Sequence, residues 1–382
     1  MSANKHKLAR ARTRLLKQLA HGFERGVFAP VGEDEAQRTE TVEGPGATAI
    51  EPEQLASLYE QAVDAAKRDL VKQSWTLPSG DQLVVDARHG FVKKRKHDPA
   101  RIAKVMGGKD RPLRPDTSAA VLRALGIMKA DGSIPAKKAK KYKQVNHLVE
   151  LARPTFEHLK GDAHLRIVDL ACGNAYLSFV LAEALRLEGR PFDLLGVDLR
   201  EDLIARCRTR AAELDWPQLR FETGTIEGLP SEAITKADLL LALHACDTAS
   251  DAAIAAGLKA QVRAMWIVPC CHAQLAKQLD EGATEAPFPA LHQEGLLRRG
   301  YAEQLTDALR VEVLRACGYQ VTLVEFVGSE HTPKNLLIRA HRKPKAPELA
   351  APKVVNALEA IEARAQQLAI RPALLSALAE LR

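Results

Sequence analysis

The sequence predicts an α/β protein, a mostly parallel seven-stranded sheet wrapped by helices and closed by an antiparallel hairpin, with a basic α+β region before it. Three observations predict it. From residue 165 onward, short apolar runs alternate with stretches of helical spacing, the pattern of a parallel sheet covered on both faces. The last two apolar runs are separated by a short loop, which makes them antiparallel neighbours. Ahead of residue 165, positive charge is concentrated in one stretch. Residues 88–143 hold seventeen Lys and Arg against four Asp, a local +13 in a chain of net +7.

Taken in order, residues 4–22 read as a basic helix and 31–52, acidic with Gly and Pro, as a linker. Leu55, Leu58, Ala62 and Ala66 share one face of a helix expected over 53–73. Residues 76–92 read as a β-hairpin turning at Pro78-Ser79-Gly80-Asp81. The stretch 93–116 is basic and irregular, and helical spacing returns at 117–126 and 137–160. A basic block beside a neutral to acidic remainder is the footprint of a polyanion-binding appendage. Lys93, Lys94, Arg95 and Lys96 are its candidate phosphate contacts; a solvated Lys-rich surface is the competing reading.

The alternating region runs strand LRIVDLA, helix 175–187, strand FDLLGVDL, helix 201–214, strand QLRFETG, a short helix, strand ADLLLALHA, helix 249–260 and strand RAMWIVPC. A helix at 302–316 then leads to YQVTLVEFVG and NLLIRAHR. After Lys343 come a Pro/Ala/Lys linker and Ala/Leu-rich helices. The expected division is a basic region over 1–130, a central domain over 131–343 and a tail over 344–382. No run approaches the roughly 18 apolar residues of a membrane span. The N-terminus lacks the apolar core of a secretory signal. Six cysteines in 382 residues are no disulfide framework. A cytoplasmic protein without membrane attachment or an obligate protein partner is expected.

Ligands of such a sheet sit at the carboxyl ends of its strands, where the strand order switches. The first strand ends in Asp169-Leu170-Ala171-Cys172-Gly173-Asn174-Ala175. Its small residues, Ala171, Gly173 and Ala175, let backbone approach a ligand and open a helix N-terminus toward it. A pyrophosphate site wants glycine at all three. A methionine-type cofactor without phosphate tolerates the two alanines, and Asp169 suits its cationic amino end. Asp198, ending the second strand, is placed to accept ribose hydroxyls. Thr225 and Ile226, after the third, form a candidate rim for an adenine ring.

Residues 140–342 resemble the class I S-adenosylmethionine-dependent methyltransferases. More narrowly they are similar to a methyltransferase-domain family that includes eukaryotic tRNA acceptor-stem 2′-O-methyltransferases. The likeness lies in KKYKQVNHLVEL (140–151), DLACGNAYLS (169–178), GVD (196–198), LHACDTASD (243–251), PCCH (269–272) and HTPKN (331–335). It implies a seven-strand Rossmann-like sheet and S-adenosyl-L-methionine contacts from Asp169, Gly173, Asp198 and the stretch from Leu243 and His244 to Asp247. It also implies that the helix bearing Gln144 and Asn146 covers the cofactor. Two departures stand out. The zinc-finger modules of those tRNA enzymes have no counterpart here, and Ala171 and Ala175 replace glycines.

Candidate catalytic groups follow the fourth and fifth strands. His244 or Asp247 is placed to orient or deprotonate an acceptor. Cys270 or Cys271 is placed to add to a pyrimidine ring. In a third reading His244, Cys246, Cys270, Cys271 and His272 hold a metal, but their spacing matches no standard zinc pattern, so no metal is expected. Buried structural cysteine is the remaining reading. Lys334 and Asn335, in the loop between the last two strands, are candidate substrate contacts. The leading expectation is an RNA methyltransferase. A methyltransferase of proteins or small molecules is the first alternative. A non-catalytic RNA-binding protein is the second, against which Asp169 and Asp198 argue.

Overall fold

The computed structural model describes residues 2–30, 39–95, 111–129, 132–161, 164–229, 231–243, 245–281, 288–325 and 336–379. It forms two compact units, Met1–Lys143 and Gln144–Arg382.

In the first unit the strands β1 (Arg25–Ala29), β2 (Glu40–Glu43), β3 (Lys72–Thr76), β4 (Gln82–Asp86) and β5 (Phe91–Arg95) make an antiparallel sheet in the order β2-β1-β3-β4-β5. Helices Ser2–Leu19 and Pro52–Lys67 belong to the same unit. Its core gathers Leu15, Leu19, Phe23, Phe28, Val63 and Trp75. Phe23 and Phe28 meet Trp75 edge-on at 5.1 and 5.3 Å between ring centres, a favoured aromatic geometry. The turn at 78–81 is present, with Gly80 N–H donating to the Leu77 carbonyl at 2.8 Å. Three expectations are corrected. The helix placed over 53–73 ends at Lys67, because Asp69 turns the chain in the left-handed region (φ 72°), and Lys72–Thr76 is a strand. Residues 40–43, within the expected linker, pair with β1. Lys93 to Arg95 belong to regular β5, not to irregular chain.

The second unit holds β6 (Leu165–Leu170), β7 (Phe192–Asp198), β8 (Leu219–Thr223), β9 (Leu239–Leu243), β10 (Ala264–Val268), β11 (Tyr319–Glu325) and β12 (Leu336–Arg342). Their order is β11-β12-β10-β9-β6-β7-β8. The pairs from β10 through β8 are parallel, while β12 is antiparallel to both β10 and β11. This is the expected sheet with its terminal hairpin. The central strands are apolar and wholly buried, as in LLLAL and AMWIV, which a sheet covered on both faces requires. β6 lies between β7 and β9, so the order reverses at its carboxyl end and opens a crevice there. The residues after Lys343 contribute to the same core, through Val354, Leu358, Ile361, Leu374 and Leu375. No helix among the described residues is long and apolar enough to cross a membrane.

Candidate functional site

The turn after β6 carries three consecutive odd-numbered residues in the left-handed region: Ala171 (φ 56°), Gly173 (φ 59°) and Ala175 (φ 49°). Left-handed backbone costs a non-glycine residue roughly 1–2 kcal/mol, so the two alanines hold a conformation they disfavour. Such strain collects where a ligand is held. The turn wraps back on the second strand. Cys172 N–H donates to the Val197 carbonyl at 2.9 Å, and Gly173 N–H donates to Asp198 Oδ2 at 2.8 Å. Gly196 allows this closeness, since a Cβ there would stand 2.6 Å from the Phe221 ring.

Asp169 is buried, and its Oδ2 accepts the Ser178 hydroxyl. Its Oδ1 is buried with no hydrogen-bond partner among the described residues. Burial pushes the carboxyl up to about 7; the Ser178 hydroxyl opposes that shift and the charge of Asp198 adds to it. A buried carboxyl with an unused oxygen calls for a donor, preferably a cationic one. That fits the amino end of S-adenosylmethionine.

Asp198 sits lower than a usual carboxylate. Burial opposes its ionisation, and the Arg200 guanidinium, the Arg200 amide and the Gly173 amide outweigh burial. Arg200 Nε donates to Oδ1 at 3.0 Å and Nη2 to Oδ2 at 3.3 Å. The arginine side chain is 62% exposed against 6% for the aspartate. The third strand's rim joins the same corner, as Gly224 N–H donates to the Asp198 carbonyl at 3.1 Å. Thr225 beyond it is exposed and Ile226 half-buried.

Leu243 ends β9, where Asp169 of β6 is paired with Leu241. Asp169, Ala171, Gly173, Ala175, Asp198, Thr225, Ile226 and Leu243 therefore come to one edge of the sheet. Gln144 is half-buried on helix Ala136–His158 and makes no hydrogen bond to the turn. His244, Lys96, Lys334 and Asn335 lie outside the described residues, as does the Arg95 side chain. Lys93 and Lys94 are exposed on β5, and Lys94 pairs with Asp81 at 3.0 Å.

Asp247 joins the loop after β9 to the helix after β10. Its two carboxylate oxygens accept the Gln274 N–H at 3.2 and 3.1 Å, so it caps the helix Ala273–Glu281. Its own backbone is left-handed, at φ 50°. Behind it runs a charged network that the sequence reading did not contain. Arg310, 1% exposed, donates through Nε and Nη2 to Asp251 at 2.9 Å each. It also donates through Nη1 to Asp307 at 3.0 Å and through Nη2 to the Asp247 carbonyl at 3.0 Å. Asp307 also meets His272 Nε2 at 3.1 Å. Cys246, Cys270 and Cys271 converge, with Cys246 and Cys270 sulfurs 3.2 Å apart. Burial and the two neighbouring thiols push the Cys270 thiol up to about 12.

Residues 140–278 match the family model described as a methyltransferase domain. No curated protein matches the chain. Among solved structures, the SAH-bound methyltransferase PaMTH1 of Podospora anserina is 13% identical, with 63% of this chain and 93% of that chain covered and a TM-score of 0.36. A magnesium protoporphyrin IX methyltransferase from Synechocystis PCC 6803 with bound SAH is 16% identical over 61% and 97%, TM-score 0.33. A protein from Pyrococcus horikoshii OT3 is 17% identical over 51% and 89%, TM-score 0.30. What each neighbour acts on is a property of that neighbour. The matched stretch spans the strained turn, Asp169, Asp198 and the cysteine loops, so residues 140–278 carry a methyltransferase domain.

Proposed function

We propose that this methyltransferase acts on RNA. The observation that carries the proposal is the charge of residues 88–143, seventeen Lys and Arg against four Asp, set beside a remainder of net −6. Such a block attracts a polyanion before any base is read. Within it, Lys93, Lys94, Lys137, Lys140 and Lys143 are exposed.

The cofactor, when bound, supplies an activated methyl group on a cationic sulfur. The chain's part is then chiefly to position. Asp169 offers an unused buried oxygen to the amino end, Asp198 offers carboxylate oxygens to the ribose, and the turn between them brings backbone close. Catalysis by positioning needs no nucleophile. Asp247 serves by fixing the loop after β9 against the helix after β10.

The test is nucleoside mass spectrometry of total tRNA and rRNA from cells with and without the protein. Loss of one methylated nucleoside is expected. An unchanged profile, with S-adenosylmethionine binding intact in the purified protein, would overturn the RNA reading in favour of a protein or small-molecule acceptor.

A further inference from the structure

We propose that Cys246, Cys270 and Cys271 form a binding site for a thiophilic cation of the zinc(II) class, with one coordination position left open. The three residues come from two loops. β9 and β10 are parallel neighbours with Leu243 opposite Val268, so the chain leaving each strand runs beside the other at strand spacing, about 4.8 Å. Cys246 stands three residues past one strand end, and Cys270 and Cys271 two and three past the other. The sequence separation of 24 between Cys246 and Cys270 hides this pairing from any spacing rule.

The sulfurs form a triangle with edges of 3.2, 3.8 and 3.9 Å. A zinc ion bound tetrahedrally at about 2.3 Å from each sulfur requires edges of about 3.8 Å. Two edges already meet that requirement, and the third must open by roughly half an ångström. Cys246 is exposed, while Cys270 and Cys271 are half-buried, so an ion has a way in. All-sulfur donors select borderline and soft ions over magnesium or calcium.

The loops are also held in place. The Asp247 carboxylate ties the residue after Cys246 to the helix after Cys271 through Gln274, and buried Arg310 grips the Asp247 carbonyl. Asp307 fixes His272, the residue after Cys271. Support of this kind around ligands keeps a metal site in register. β9, whose carboxyl end leads to Cys246, is the neighbour of β6, so the cysteines and the strained turn stand at the same carboxyl end of adjacent strands.

The experiment uses the full chain, purified under reducing conditions and loaded with zinc(II) or, for spectroscopy, cobalt(II). One equivalent of zinc retained through gel filtration is expected, with cobalt(II) giving thiolate charge-transfer absorption. Separate Cys246→Ala and Cys271→Ala variants should each weaken zinc binding by more than roughly 100-fold, beyond the 10- to 100-fold typical of supporting residues. Cys317→Ala, buried elsewhere, should leave it unchanged. Circular dichroism and melting of every variant separate loss of a ligand from loss of the fold, and exposed Cys246 is the position least able to disturb the core. Absence of zinc uptake, or uptake that survives loss of both Cys246 and Cys271, would overturn the site. Metal content is read without any methyl acceptor, so this outcome is independent of the RNA proposal.

Discussion

Asp169 and Asp198 are two carboxylates pushed in opposite directions by their surroundings, and each makes a prediction. Asp169 keeps its proton to about 7 because it is buried, whereas an unfolded aspartate releases its proton near 3.9. Between those values the folded chain binds more protons than the unfolded one, so the stability of the free protein falls as pH rises from about 4 to about 7. A cationic amino group on Asp169 reverses the preference. Affinity for S-adenosylmethionine should therefore climb as pH rises toward about 7 and level off above it. Asp169→Asn should flatten that climb and weaken binding at pH 8, as calorimetric titration across pH will read; an unchanged profile would remove Asp169 from the site. Asp198 has its lone pairs occupied by Arg200 and the Gly173 amide, so a ribose must displace the exposed guanidinium. Asp198→Ala should abolish cofactor binding without unfolding the chain, and Arg200→Ala should bind at least as tightly as the parent. A large loss in Arg200→Ala would mean that Arg200 itself holds the cofactor. Both positions could be picked out in the sequence as acids at strand ends, Asp169 by the small residues that follow it and Asp198 by the Gly196-Val197 that precedes it. Ser178 and Arg200 lie within nine residues of the acids they serve. The strain at Ala171 and Ala175 was not legible as strain, since φ is not written in residue type.

At the scale of elements, the alternation of apolar run and helix made the seven strands of the second unit readable, because a wholly buried strand must be continuously apolar. The short β1 and β2 were not, as ETVE alternates too briefly to separate from an acidic linker. Their place is set by pairing with each other and, through β1, with β3, where Arg25 meets Thr76 across 51 residues of chain. The Arg310 network was equally hidden, since Arg310 reaches Asp251 across 59 residues and an arginine in a helix reads as surface. Removing that guanidinium strands Asp251 and Asp307 in the core. Breaking a buried pair in this way typically costs about 3–5 kcal/mol. Arg310→Met keeps the length and apolar stem, so a loss of that size in urea unfolding would be charge and hydrogen bonding rather than volume. A loss under about 1 kcal/mol would show that the network holds little of the fold.

For the molecule as a whole, charge is the quantity the sequence displays best and the fold constrains least. The local +13 survives as a fact about residues 88–143 however they are arranged, and counterion release makes it measurable. Each phosphate neutralised on duplex nucleic acid contributes a slope of about −0.9 in log affinity against log salt, and about −0.7 on a single strand. If six to ten of the seventeen cations meet phosphate, affinity for an RNA of mixed sequence should fall by roughly 10³- to 10⁵-fold between 50 and 200 mM salt. Lys93→Ala with Lys94→Ala, both on the exposed edge strand β5, should lower the slope by about 1 to 2 while leaving S-adenosylmethionine binding unchanged, because both lie outside the stretch that matches the methyltransferase domain. The competing account of those lysines is that they protect an edge strand from pairing with other chains. That account gives a different result in the same experiment, namely an unaltered salt slope together with concentration-dependent association of the variant in light scattering.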